Sequence, residues 1–162
     1  MSVQDIDLGY SKIMNAFRHD LNGTVVAAGV QAEDKAAKRK KGKVVNTDIP
    51  LVVVAAVHEF GSANIPQRSF LRSTYDENKS RIETMAENVV AGTIKNISTD
   101  AAVNQLGNVM QGMIQKKIVN GPFTPLKPAT IKRKGSSKPL IDTGRLRQSI
   151  RYVVMKGGNN DE

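Results

Sequence analysis

The chain has no cysteine and no tryptophan among its 162 residues, and aromatic residues make up only 4% of it. Without cysteine there is no disulfide staple, no thiolate nucleophile and no thiolate-held zinc. Four Phe and three Tyr are too few for a base-stacking platform, and they leave the core to aliphatic side chains. Long apolar runs are missing as well. The longest is Leu51 to Val57, seven residues, far short of the roughly 20 that a membrane-spanning helix needs. No apolar segment follows Met1, so no secretory signal and no membrane partner are expected. Histidine is scarce. His19 and His58 are too distant in sequence to suggest a metal pair, and His58-Glu59 lacks the second histidine of a zinc-binding helix. His58 therefore reads as a helix-end or packing residue rather than a base. No glycine-rich phosphate loop follows a strand, and no serine-centred elbow, recognition-helix pattern or aromatic RNA-binding pattern is found. No cofactor and no metal are implied.

What is present is enough apolar material, 40% of residues, for one core. The length suits a single domain over residues 1–162. The formal charge is +9, and two stretches hold all of the excess. Residues 33–43 (EDKAAKRKKGK) are net +4, residues 127–147 are net +6, and the remainder is net −1. Such stretches either contact polyanions through counterion release or lie solvated on the surface. Lys38, Arg39, Lys40 and Lys41 are the residues expected to meet a polyanion or an acidic partner.

Periodicity organises the rest. Tyr10, Ile13, Met14, Phe17 and Leu21 keep helical spacing, with Asp5 or Asp7 as caps and Asn22-Gly23 as the stop. Thr24 to Gln31 is β-branched and short, and predicts a strand. The stretch 33–46 has no periodicity and reads as a basic loop or arm. Thr47 to Gly61 leans to a short helix: Asp48 is a good N-cap, Pro50 suits the first turn and Gly61 the end. Ser62 to Ser69 is a loop pinned by Pro66. Phe70 to Ile97 carries a stripe of Ile82, Met85/Ala86, Val89/Val90, Thr93/Ile94 and Ile97, a long amphipathic helix. Ser98 or Thr99 caps a second one, through Val103, Leu106, Met110, Ile114 and Ile118 to Asn120-Gly121-Pro122. Gly92, Gly107 and Gly112 inside these two helices suggest close backbone packing. Residues 122–139, rich in Pro, Lys and Ser, read as an extended basic loop. Asp142 or Thr143 caps a short helix, and Ile150 to Met155 alternates as a strand. Residues 157–162 read as a flexible tail. The fold class expected is α+β, with two long amphipathic helices packed on a small, mostly antiparallel sheet that pairs the strands near residues 25 and 152.

Leu140-Ile141-Asp142-Thr143-Gly144 looks like half of an aspartic protease site, where two such aspartates share a proton. Arg145 follows directly, and a cation beside the pair opposes the raised pKa that chemistry needs. Capping a helix requires no further residues. An Asp142→Asn variant tests the protease reading, which predicts loss of any peptidase activity.

Two segments carry a family resemblance when taken together. The first is Ala56-Val57-His58-Glu59-Phe60-Gly61 followed by Ile65-Pro66-Gln67-Arg68-Ser69-Phe70-Leu71. The second is Lys138-Pro139-Leu140-Ile141-Asp142-Thr143-Gly144-Arg145-Leu146-Arg147-Gln148-Ser149-Ile150. In this order, separated by a helical middle, they resemble the virion-morphogenesis proteins of tailed bacteriophages, the tail-completion or neck proteins of the head–tail joint. The resemblance covers roughly residues 50–155. It implies a non-enzymatic α+β subunit that forms a ring, commonly of six copies. The partners implied are copies of itself, the head connector and the tail tube or terminator proteins, with non-specific DNA contact in the lumen. The implied location is the virion neck, and the host cytoplasm during assembly. A small sequence-nonspecific nucleic-acid-binding protein is the competing reading. Expected assembly contacts are Glu59, Phe60, Arg68, Phe70, Arg145 and Arg147, with Phe60 a buried anchor and Glu59 the ion-pair partner of Arg68.

Overall fold

A computed structural model describes residues 14, 21–31, 33–40, 43–95 and 98–157. The expected N-terminal helix therefore lies outside the described residues, as do Ile97, Lys41 and the tail beyond Gly157. The described chain is α+β. Strands β1 (Val25–Val30), β2 (Lys35–Lys40) and β3 (Lys43–Pro50) come first, followed by helices α1 (Leu51–Phe60), α2 (Arg72–Ile94) and α3 (Thr99–Asn120). Two short helices, α4 (Pro128–Lys134) and α5 (Arg145–Gln148), lead into the final strand β4 (Ile150–Met155).

The strands make two separate two-stranded sheets. β1 pairs antiparallel with β4, from Val25 opposite Met155 to Val30 opposite Ile150. Opposed residues share a face. One face therefore carries Val26, Ala28, Val30, Ile150, Tyr152 and Val154, and it lies on α3. The other carries Val25, Val153 and Met155, all exposed. The α3 surface is shaped for this contact at Gly107, where a Cβ would lie 2.3 Å from the Tyr152 ring. Any side chain there forces the ring away. Gln111 Oε1 accepts the Tyr152 N–H (3.1 Å), and Gln115 Nε2 donates to Ile150 O (3.2 Å).

Of the two long helices, α3 carries the sheet and α2 lies along α3. Their turn is held by Thr93 Oγ1 and Thr99 Oγ1, 2.8 Å apart and buried. Ser98 caps α3 as its sequence suggests, accepting the Ala101 N–H. The main core gathers Ala36, Leu51, Ala55, Phe70, Ile114, Ile118, Leu140, Leu146 and Ile150.

Several expectations are corrected. The stretch 33–46 is not a loop: β2 and β3 form an antiparallel ribbon, with Lys38 opposite Val45 and Lys40 opposite Lys43. Its ladder bonds are formed by backbone groups, which low-propensity lysines still supply. The stretch 122–139 is extended only at its ends, since α4 occupies Pro128 to Lys134 with proline in its first turn. α1 begins after Pro50, and no side chain caps it, Asp48 included; it ends at Gly61 in a left-handed conformation (φ 79°). Neither Asp142 nor Thr143 caps α5. Gly144 (φ 82°) holds the N-cap position with no side-chain hydrogen bond.

Candidate functional site

The two motif segments, far apart in sequence, fold onto one another. Phe70 from the first and Leu140, Leu146 and Ile150 from the second belong to one buried cluster, and Phe70 is 0% exposed. Phe60 is not the anchor. It stands 70% exposed at the end of α1, and the anchoring role falls to Phe70.

Glu59 is buried, at 4% exposure, and its carboxylate organises the junction between α1 and α2. Oε1 accepts from Ser69 Oγ (2.6 Å) and the Arg72 N–H (3.0 Å). Oε2 accepts the N–H groups of Phe70 (2.8 Å) and Leu71 (2.9 Å). These amides open α2, a helix whose N-terminus has no cap of its own. Glu59 supplies the missing acceptors and a negative charge at the positive end of the helix dipole. Burial opposes ionisation of Glu59. The hydrogen bonds from Ser69 and from the N–H groups of Leu71, Arg72 and Phe70 outweigh it and hold the carboxyl below its usual range.

The expected Glu59–Arg68 ion pair is absent: the carboxylate is filled by backbone and Ser69. Arg68 turns elsewhere. Its N–H donates to His58 O (2.7 Å), and its Nε donates to Thr124 O (3.1 Å) in the segment after α3. Gln67 Nε2 adds a bond to Glu59 O (3.1 Å). His58 is held below its ordinary pKa by burial and by the charges of Arg68 and Lys134, so it is neutral at pH 7. Lys134 is lowered by burial, with Asp142 opposing. Asp142 thus lies near Lys134.

Arg145 ties the second motif to the ribbon. Its Nη1 donates to Lys35 O (3.1 Å) and its Nη2 to Asn46 Oδ1 (2.7 Å). Arg147 is exposed on α5. Of the six expected contact residues, Glu59, Arg68 and Phe70 are internal, Arg145 is half-buried, and Phe60 and Arg147 face outward. The ribbon shows apolar residues to solvent beside its basic ones: Val44, Val45 and Ile49 are exposed. So are Val52 and Val53 on α1.

An open cleft of about 400 Å3 lies at the junction, lined by Arg68, Arg72, Ser73, Asp76, Lys117 and Thr124 among others. Arg68 and Arg72 are four residues apart in sequence. Lys117 and Thr124 join them only because α3 ends beside the start of α2. Among the described residues there is no cluster of His, Asp and Glu fit to hold a metal ion. No described helix is long and apolar enough to cross a membrane. No family model, no curated protein and no solved structure matches the chain.

Proposed function

We propose that this chain is an assembly protein of a tailed bacteriophage, one that completes the tail or joins it to the head connector as a ring of copies. The observation that supports this most is the meeting of the two resembling segments in one core. Phe70, Leu140, Leu146 and Ile150 pack together, and the Glu59 lattice ties α1 to α2 beside them. The motif residues thus have a shared job, which is to hold a rigid junction from which other surfaces project.

Those surfaces suit contact with other chains. A two-stranded ribbon is marginal by itself in water, and here it leaves Val44, Val45 and Ile49 exposed. The outer face of the β1–β4 sheet adds Val25, Val153 and Met155. Neighbouring subunits that cover such patches gain the hydrophobic contribution that the monomer forgoes. No step of this function is chemical. Phe60 and Arg147 point outward as direct contacts, whereas Glu59, Arg68 and Phe70 act by shaping the subunit.

Mass photometry of the purified chain, alone and with tail tubes, tests the proposal. Rings of about six subunits, free or on the tube end, are expected, and virions made without the chain should lack intact tails. A monomer with and without tubes, or infectious virions without the chain, overturns it. The basic ribbon favours a second reading, sequence-nonspecific nucleic-acid binding. That reading predicts duplex binding at low salt that collapses as salt rises, whereas the assembly reading predicts little duplex affinity.

A further inference from the structure

Arg68 is a buried cation without a counter-ion among the described residues. It is 5% exposed, and no described carboxylate lies within ion-pair distance of it. One guanidinium nitrogen, Nε, is used by Thr124 O, and the two Nη groups have no acceptor among the described residues. Burial pulls its pKa down, and no group among the described residues opposes this. Arg72, exposed on the same cleft, also lacks a described ion-pair partner, whereas Lys117 is already paired with Glu77. A guanidinium fork held in a cleft with its outer nitrogens unused matches a carboxylate, which takes two parallel N–H bonds.

The cleft itself favours a carboxylate over a phosphate chain. Asp76 lines it and Glu77 stands next to it, with Glu83 and Glu87 exposed further along α2. That row of acids repels an extended polyanion but leaves room for a short acidic segment against Arg68 and Arg72.

The sequence holds such a segment in Asp161-Glu162, which follow Gly-Gly-Asn-Asn. Lys156, which precedes it, lies at the far end of α3 from the cleft. Lys156 Nζ pairs with Asp100 Oδ1 at 2.7 Å in the first turn of α3, whereas Lys117 of the cleft is in the last turn. At 1.5 Å per residue the helix separates these points by about 25 Å. The chain from Gly157 to Glu162 reaches at most about 18 Å.

From this we infer that the cleft at Arg68 and Arg72 receives the Asp161-Glu162 segment of a second copy of the chain. The contact is head-to-tail, the kind that generates a ring when its rotation closes. It rests on the ring reading given above, but the binding event itself can be measured without a ring.

The test uses the full chain carrying Asp161→Asn and Glu162→Gln, so that the cleft is not filled by its own copies. A fluorescent peptide of residues 156–162, amidated at its end, is titrated in by anisotropy at low salt. Saturable binding is expected, lost when the peptide carries Asn and Gln in place of the acids. Arg72→Glu, an exposed change, should weaken it at least about tenfold; Arg68→Lys should also weaken it, with circular dichroism checking the fold. Binding indifferent to the peptide's acids or to Arg72 overturns the inference, as does no binding at all. A short DNA duplex that displaces the peptide through Arg72 overturns it in favour of phosphate. Mass photometry separates the two readings. If the tail variant still forms rings and the peptide does not bind, the tail contact fails and the ring stands. If the peptide binds but the unaltered chain is monomeric even on tail tubes, the ring fails and the cleft stands.

Discussion

The α1–α2 junction and the β2–β3 ribbon are built from neighbouring stretches of chain, yet they solve the problem of backbone satisfaction in opposite ways. At the junction, one buried carboxylate takes three backbone N–H groups and a serine hydroxyl, and an invaginated Phe70 fills the space behind it. In the ribbon, each strand has only the other as a ladder partner, Ala36 and Arg145 tie it to the body, and Val44, Val45 and Ile49 are exposed to solvent. The junction's stability is therefore intrinsic to the subunit. The ribbon's role depends on what lies against it.

The largest effects should come from the junction. Phe70→Ala empties the centre of the core and should cost about 3–5 kcal/mol in urea unfolding. Glu59→Ala leaves three amides without acceptors and should cost about 3 kcal/mol. Reversing the charges of Glu59 and Arg68 together should rescue nothing, because the two are not paired. Rescue in that double variant would restore the ion-pair account and remove the capping one. Next in size is Gly107→Ala, which drives a methyl group into the Tyr152 ring and should cost about 1–3 kcal/mol. Adding Tyr152→Val should recover part of that loss, and a strictly additive double variant would show that the ring is not the obstacle.

Acid should find the junction before the ribbon. Both His58 and Glu59 have pKa values depressed by folding, so the unfolded chain binds more protons and stability falls as pH drops. The loss begins below the ordinary histidine value of 6.5 and steepens below the ordinary glutamate value of 4.5, continuing down through the lower folded values. His58→Gln should remove the first part of the decline in melting temperature and spare the second. A midpoint that is flat between pH 7 and 5 contradicts the burial of His58.

Much of this comparison could be read in the sequence, and the exceptions have physical causes. The periodic stripes of α2 and α3, and the alternation in β4, are local patterns, and local patterns report which face is buried. The sequence Lys-Ala-Ala-Lys-Arg-Lys hides the ribbon because it has little strand propensity and no alternation to mark a face, with the small Ala36 its one fully buried side chain among the described residues. Lys41-Gly42 between the strands was the available turn signal. In α4, Pro128 and Gly135 mark both ends, but the surrounding lysines and serines suggested an open loop. Glu59 lay beyond any local rule. Its partners are 10 to 13 residues downstream, so the cap of α2 is a tertiary contact, and a nearby arginine was the more obvious partner.

The smallest expected change in subunit stability is the one that sharpens the contrast most. Val44→Ser with Ile49→Ser removes two exposed apolar side chains from the ribbon, and surface changes of this kind usually stay within about 0.5 kcal/mol. The monomer's urea midpoint should barely move. If the ribbon lies against a neighbour, the same two changes strip buried apolar area from every interface around a ring, and rings should dissociate at concentrations where the unaltered chain holds together. The dependence of particle mass on protein concentration reads this directly. A ribbon that serves only to solvate the subunit predicts the same dissociation curve for both chains, whereas one that binds duplex through its lysines predicts an unchanged curve with DNA affinity retained. The junction offers no such separation, since whatever weakens it weakens the subunit first.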